Sequence, residues 1–312
     1  MASLFKWSRA ADRPALPFTA EQQRRLATWN RERLAPQFPP ADPDAALVRE
    51  SEMRAVEIAF LEALRAEISA EAAAAPTDVE GFIAWFEGLI ETGPGQGDPL
   101  FPWIAAEASL DQMHWFLEQE AAGEAGFDDL VAYTQVKMPQ QAKLELARNY
   151  WDEMGRGNPK GMHGPMLGHL IEALDLAPTI EDTVAESLAL ANAMTAMATN
   201  RAYAWHSVGA LGAIELTAPG RSAATAMGLR RLGQPPEVRR YFDLHATLDV
   251  KHSEAWNREA LRPLVAEDPA RATAMAEGAL IRLKAGARCF ARYRSELWSV
   301  RESRPTEAMV HA

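Results

Sequence analysis

Cysteine is almost missing from this chain: of 312 residues, only Cys289 carries a thiol. An intrachain disulfide is therefore excluded, and so is a multi-thiolate metal site. Long apolar runs are missing too. Nothing approaches the ~20 residues of a membrane span, and the basic N-terminus with Lys6, Arg9 and Arg13 lacks the apolar stretch of a secretory leader. No run of lysine or arginine occurs. With 43 acidic against 32 basic side chains the net charge is −11, which argues against a nucleic-acid surface. There is no GxGxxG or GxxxxGK[ST] phosphate loop, no repeat of fixed period, and no alternating run bounded by Asn-Gly or Asp-Gly that would signal strands. What is left is a soluble, cytoplasmic, all-α chain long enough to bury a substantial core.

Proline and glycine divide that chain. Pro14, Pro17, Pro36, Pro39, Pro40 and Pro43 mark residues 1 to about 43 as an arm lying on the main body. Val56, Phe60, Leu61 and Leu64 recur at helical spacing between Asp44 and about Ala75, and Pro76 stops that helix. Thr77-x-x-Glu80 has the form of a capping box for a helix burying Phe82, Ile83, Phe86 and Ile90. Asp98-Pro99 is expected to open one helix reaching about Glu124. Short helices follow to about Lys137 and Glu153, then a glycine-rich break and a new start near His163. Residues 180–218 are too many for one ordinary helix, and Pro219-Gly220 is expected to end that segment. Pro235-Pro236 and Pro263 set off the remainder, with a last helix near 268–300. The expected organisation is an arm and helix over 1–76, a bundle over 77–301 and a frayed tail over 302–312.

Within this frame, His245-Ala-Thr-Leu-Asp249-Val-Lys-His252 stands out. Steps of four and three place both imidazoles and the carboxylate on one helical face, beside Leu248 and Trp256. An inward-facing carboxylate without a partner costs several kcal/mol, which a metal ion would offset; the competing reading is a solvated polar stripe. Glu215 ends the apolar run Val208–Ile214, as a buried ligand or as a helix-end acid reaching water. Glu153 and His163 flank the glycine-rich break and can converge on one ion; taken singly they are a helix-end acid and a core histidine. Glu120 shares a face with Met113, Phe116 and Leu117, and a shift of register would replace it by Glu124. His206 is a core or pocket residue, His114 and His169 are peripheral, and Cys289 is a small core side chain. Trp205, Met197, Met166 and Trp256 are candidates for a cavity wall.

The order of these pieces is informative. A Glu is followed by Asn149-x-x-Asp152-Glu153-x-Gly155-x-Gly157, with His163 ten residues after Glu153, then Glu215, then His245-x-x-x-Asp249-x-x-His252. Over roughly residues 78–300 this set resembles the haem-oxygenase-like diiron oxidases, also called iron-containing redox enzymes. The resemblance implies a compact seven-helix bundle with two non-haem irons held by Glu120, Glu153, His163, Glu215, His245, Asp249 and His252, Glu153 bridging. The first ligand has no local motif, so Glu120 and Glu124 both stay open, and the N-terminal helical extension lies outside the matched core.

Four carboxylates and three imidazoles suit iron, with manganese second, whereas zinc sites usually take four ligands. The expected activity is an O₂-dependent oxidase or oxygenase, fed by an external reductant, on a small organic substrate that is amino-acid- or fatty-acid-like. The competing classes are a metal-free helical binding or scaffold protein and a cofactor-independent or single-metal enzyme on the same fold. A homodimer remains open.

Overall fold

Helix α1 (Ala20–Leu34) forms where the scattered prolines argue only for an arm. Its start is written in a true capping box: the Thr19 hydroxyl accepts from the Gln22 amide, and the Gln22 side chain accepts from Thr19 N at 3.0 Å. This computed structural model describes residues 19–123 and 126–299, the side chains of 122, 123 and 299 excepted. The proposed tail, the first part of the arm, His311 and Glu124 lie outside the described residues. Helix α2 (Pro43–Ala73) starts at an Asp42 cap with proline in its first turn and buries Met53, Phe60, Leu61, Leu64 and Ile68 at helical intervals. Buried Asn30 donates to Asn192 at 3.0 Å, fastening α1 to α9 (Ala185–Thr199).

In α3 (Val79–Thr92) the cap is Asp78, accepting from Gly81 N at 2.8 Å, rather than Thr77. Phe82, Ile83 and Phe86 are buried as expected, but Leu89 takes the next core position and Ile90 is exposed. The single helix expected over 98–124 is two, α4 (Leu100–Ala106) and α5 (Leu110–Gly123). Ser109 and Gln112 form a reciprocal cap that starts α5 afresh. Arg231 donates to the Ala105 and Ala108 carbonyls (2.9 and 2.6 Å), satisfying the end of α4. The chain continues through α6 (Phe127–Thr134), α7 (Gln140–Glu153) and α8 (His163–Ala173).

After α9, helix α10 (Ala204–Arg231) runs through Pro219 instead of stopping there. Proline removes the amide that would bond the Glu215 carbonyl and favours a kink, and packing of α10 against its neighbours carries the helix on. Helix α11 (Pro236–Trp256) continues through a π-helical turn (Asn257–Leu261) into α12 (Arg262–Glu267), with Pro263 harmlessly in the first turn, before α13 (Ala270–Ser299). The backbones of α10 and α13 meet at a pair of glycines. A Cβ on Gly209 would sit 1.9 Å from Met275 O, and one on Gly278 1.8 Å from His206 O.

Among the described residues there is no strand, only one isolated bridge between Met154 and Met162, and no helix is long and apolar enough to cross a membrane. Two apolar clusters form. One is centred on α2, α3, α9, α10 and α13 around Phe60, Phe86 and Trp256; the other joins α4, α5, α8 and α11 to the end of α13 around Phe116, Cys289 and Tyr293. A cavity of about 150 Å³ is lined by members of both, including Phe101, Leu117 and Phe242 on one side and Phe127 and Ile214 on the other.

Candidate metal centre

The end of α7 and the start of α8 are folded back on each other by the Met154–Met162 bridge. Gly155 makes this return possible. Its φ is +60°, and a Cβ there would lie 2.4 Å from the Gly161 carbonyl carbon. The bend brings His163 Nδ1 within 2.6 Å of Glu153 Oε2, both side chains buried. From α11, His245 comes beside them, its Nε2 3.1 Å from His163 Nδ1. The other His245 nitrogen lies 2.7 Å from the Tyr241 carbonyl. A carbonyl only accepts, so Nδ1 carries the proton and Nε2 presents a lone pair inward. A carboxylate oxygen and two imidazole nitrogens thus crowd together, and a proton or a cation must sit among them.

A second trio lies on the same cavity side. Glu215 from α10 and Asp249 and His252 from α11 are all buried, and one ligand atom from each falls within 4.8 Å of the others, as it does for Glu153, His163 and His245. His252 Nε2 contacts Asp152 Oδ2 at 3.2 Å. Its Nδ1 is buried 3.5 Å from Glu215 Oε2 without a hydrogen bond. Asn149 donates to Glu215 Oε1 at 2.5 Å, fixing that carboxylate from behind. Glu153, Glu215, His245 and Asp249 all border the cavity.

Burial sets the protonation of these groups in the metal-free chain. It pushes the Glu153 carboxyl up to about 8, the Glu215 charge adding to the effect against His245 and His252. It brings His163 down to about 4, with His252 pushing the same way, and lowers His245 as well. Burial thus works against charge on both partners of the close Glu153–His163 contact. Asp249 is raised, first by burial and then by Glu215. For His252, burial is outweighed by Glu215, Asp152 and Asp249, and the ring is pushed up to about 9. A cation at each trio would replace these protons and satisfy the same oxygens and nitrogens. Five buried donors and the half-buried His245, oxygen and nitrogen in two sets, fit iron or manganese.

Of the seven residues singled out by sequence, six gather in these two trios. Glu120 borders the same cavity but belongs to neither; its carboxylate accepts from the Tyr293 hydroxyl at 2.9 Å, and burial raises its pKa. His206 is a buried partner of Glu277 at 2.6 Å. Met197 and Trp256 pack in the core with Trp205 against it, and none of these, nor Met166, lines the cavity. The supporting roles of Asn149 and Asp152 were missed, although both stand in the Asn149-x-x-Asp152-Glu153 run, and Arg221 and Arg282, also on the cavity wall, carried no local signal.

The comparisons agree with the geometry. Crystal structures of a CADD-like protein of unknown function from Nostoc punctiforme, at 2.00 and 1.35 Å resolution, superpose with a TM-score of 0.54 each at 18% and 17% identity. They cover 70% and 75% of this chain and 98% and 99% of their own, a likeness of fold. No curated protein matches. The model of the iron-containing redox enzyme family matches residues 114–287, more than half the chain and a span containing both trios. The haem-oxygenase-like all-α architecture expected from the sequence is the one found, and the chain belongs to the iron-containing redox enzymes.

Proposed function

We propose that this protein is an O₂-dependent non-haem diiron oxidase or oxygenase acting on a small organic molecule held in the cavity. The observation that carries this reading is the pair of largely buried trios, Glu153–His163–His245 and Glu215–Asp249–His252, each with members bordering one cavity. Two ferrous ions bound there would supply electrons to O₂, with an external reductant restoring them between turnovers. The residues of the chain do the rest. His245 is held in one tautomer by the Tyr241 carbonyl, and His252 is aimed by Asp152. Phe101, Leu117, Phe127, Ile214 and Phe242 keep bulk water from the cavity and give an organic substrate an apolar bed. Glu153 and Asp249, whose burial favours the protonated form, give up protons as metal binds. Glu120 sits on the cavity wall, available as a further oxygen ligand or as a hydrogen-bond partner of substrate.

Anaerobic reconstitution with ferrous ion, followed by metal analysis and O₂ uptake, tests the reading. Two irons per chain and O₂ consumption that depends on them are expected. A chain that retains no iron or manganese after reconstitution would return the fold to a binding or scaffold role.

A further inference from the structure

The two trios lie close beneath one stretch of surface. Trp151, Asp152 and Glu153 are consecutive in the last turn of α7, and the helical step turns them from exposed through half-buried to buried. Asp152 touches His252 of one trio, and Glu153 belongs to the other. Trp151, 52% exposed, is the only exposed tryptophan among the described residues. Its ring lies against Gly157, where an added Cβ would come within 3.0 Å of it, so the return after α7 props the indole in place. Leu144, 54% exposed, stands two turns earlier on the same face. A tryptophan held still in water is the residue type that anchors contacts between proteins.

Charge says what kind of protein it meets. The chain has 43 acidic and 32 basic side chains, yet between residues 137 and 160 every exposed charged side chain is basic: Lys137, Lys143, Arg148, Arg156 and Lys160. The acids of that stretch, Glu145, Asp152 and Glu153, are buried or half-buried. Arg148 pairs with Glu145 and Arg156 with Asp152, while the three lysines form no ion pair among the described residues. On the flanking elements Glu259 is held by Arg258, and Asp128 acts on Glu153 and His163, across α7 from Trp151. A cationic rim around an apolar anchor, on an otherwise acidic protein, draws an acidic partner and orients it. The face is about 21 Å long, from the length of α7, which suits the small interfaces of transient redox complexes.

We infer that this face is the docking site of a small acidic protein that carries single electrons, with Trp151 as the anchor and the cations as the guide. The partner's role rests on the diiron reading: each encounter passes one electron from the reduced carrier to ferric ion held by the trios, and the carrier leaves oxidised, with no bond made or broken. From Trp151 the way inward is one peptide link to Asp152 and one 3.2 Å contact to His252.

Two acidic carriers with different cofactors, a plant-type iron–sulfur ferredoxin and a flavodoxin, are the probes. They are titrated calorimetrically into the full chain, metal-free and iron-loaded, at about 20 and about 200 mM salt. At least one should bind at low salt and weaken about 10-fold or more at high salt. Trp151→Ala should weaken that complex about 10-fold or more, and Lys143→Glu combined with Lys160→Glu should abolish it. These side chains are exposed, so iron content and circular dichroism should not change. Met227→Ala, an exposed apolar side chain on α10, is the control and should bind normally. Anaerobic mixing of reduced carrier with the ferric-loaded variants should show carrier oxidation slowed in step with binding. Failure of both carriers to bind at low salt overturns the inference, as does a complex that the Trp151 and lysine variants leave intact. Tighter binding of anionic phospholipid vesicles or of an oligonucleotide also overturns it, because the cations would then serve a phosphate surface. Iron content of the same samples separates the two readings. Iron held with no carrier bound removes this inference and leaves the metal centre; a carrier bound at this face by a chain that holds no iron keeps the docking site and removes the diiron reading.

Discussion

His252 is gripped from one side by Asp152, whose Oδ2 lies 3.2 Å from Nε2, so that Nδ1 is the nitrogen turned toward Glu215. Asp152 is itself held by Arg156 at 2.5 Å, on the exposed side of the turn. The carboxylate therefore orients the ring from outside the Glu215–Asp249–His252 trio. Asp152→Ala should weaken ferrous binding about 10- to 100-fold, the usual cost of losing such a partner, with the far-UV circular dichroism unchanged. A loss below about threefold would show that the His252 ring is set by packing instead.

Glu153 gives the metal-free chain a distinctive pH dependence. Its folded pKa of about 8 stands above its ordinary value of 4.5, so between those limits the folded chain holds a proton that the unfolded chain has released. Stability from this group is full below the lower value and is lost as pH rises through the upper one. Urea unfolding at pH 5 and pH 7.5 should show the metal-free protein weaker at the higher pH. Glu153→Gln should flatten that difference, and ferrous loading of the unaltered chain at pH 7 should release protons into a lightly buffered solution.

The opposite sign holds at Glu277, which accepts from His206 at 2.6 Å and from Arg65 at 2.8 Å. Burial opposes its charge, but His206 and Arg65 outweigh burial and hold the pKa down to about 2. Its contribution is present above its ordinary 4.5 and disappears as pH falls toward 2. Glu277→Gln should leave an acid-unfolding curve that falls less steeply over that window, without altering iron content.

Gly278→Ala forces a methyl to within 1.8 Å of the His206 carbonyl oxygen at the crossing of α10 and α13. Overpacking of a rigid contact costs on the order of 1–3 kcal/mol, and Tm should drop by several degrees. Gly88→Ala is the control. Nothing lies within 4 Å of its added Cβ, and α3 gains helix propensity, so Tm should hold or rise.

Helix content and most of the residues of the two trios were legible because their information is local. Asp249 and His252 share a face of α11 with His245 by spacing alone, and the run from Glu153 to His163 announces a tight return by its glycines. Misplaced boundaries had local causes as well. No glycine marks the break at the Ser109–Gln112 cap between α4 and α5, and α10 passes Pro219 because tertiary packing outweighs the broken hydrogen bond. The arginines were illegible. In sequence Arg221 and Arg282 look like solvated helix residues, and only the meeting of α10 and α13 around one cavity brings them to its wall.

The contact that joins those two helices has a bearing on selectivity. With carbonyls lodged where side chains would be, α10 and α13 have no slack to slide past each other, so the guanidinium posts and the Glu215 carboxylate keep a set spacing. The cavity between them is therefore expected to hold its width rather than widen around an occupant.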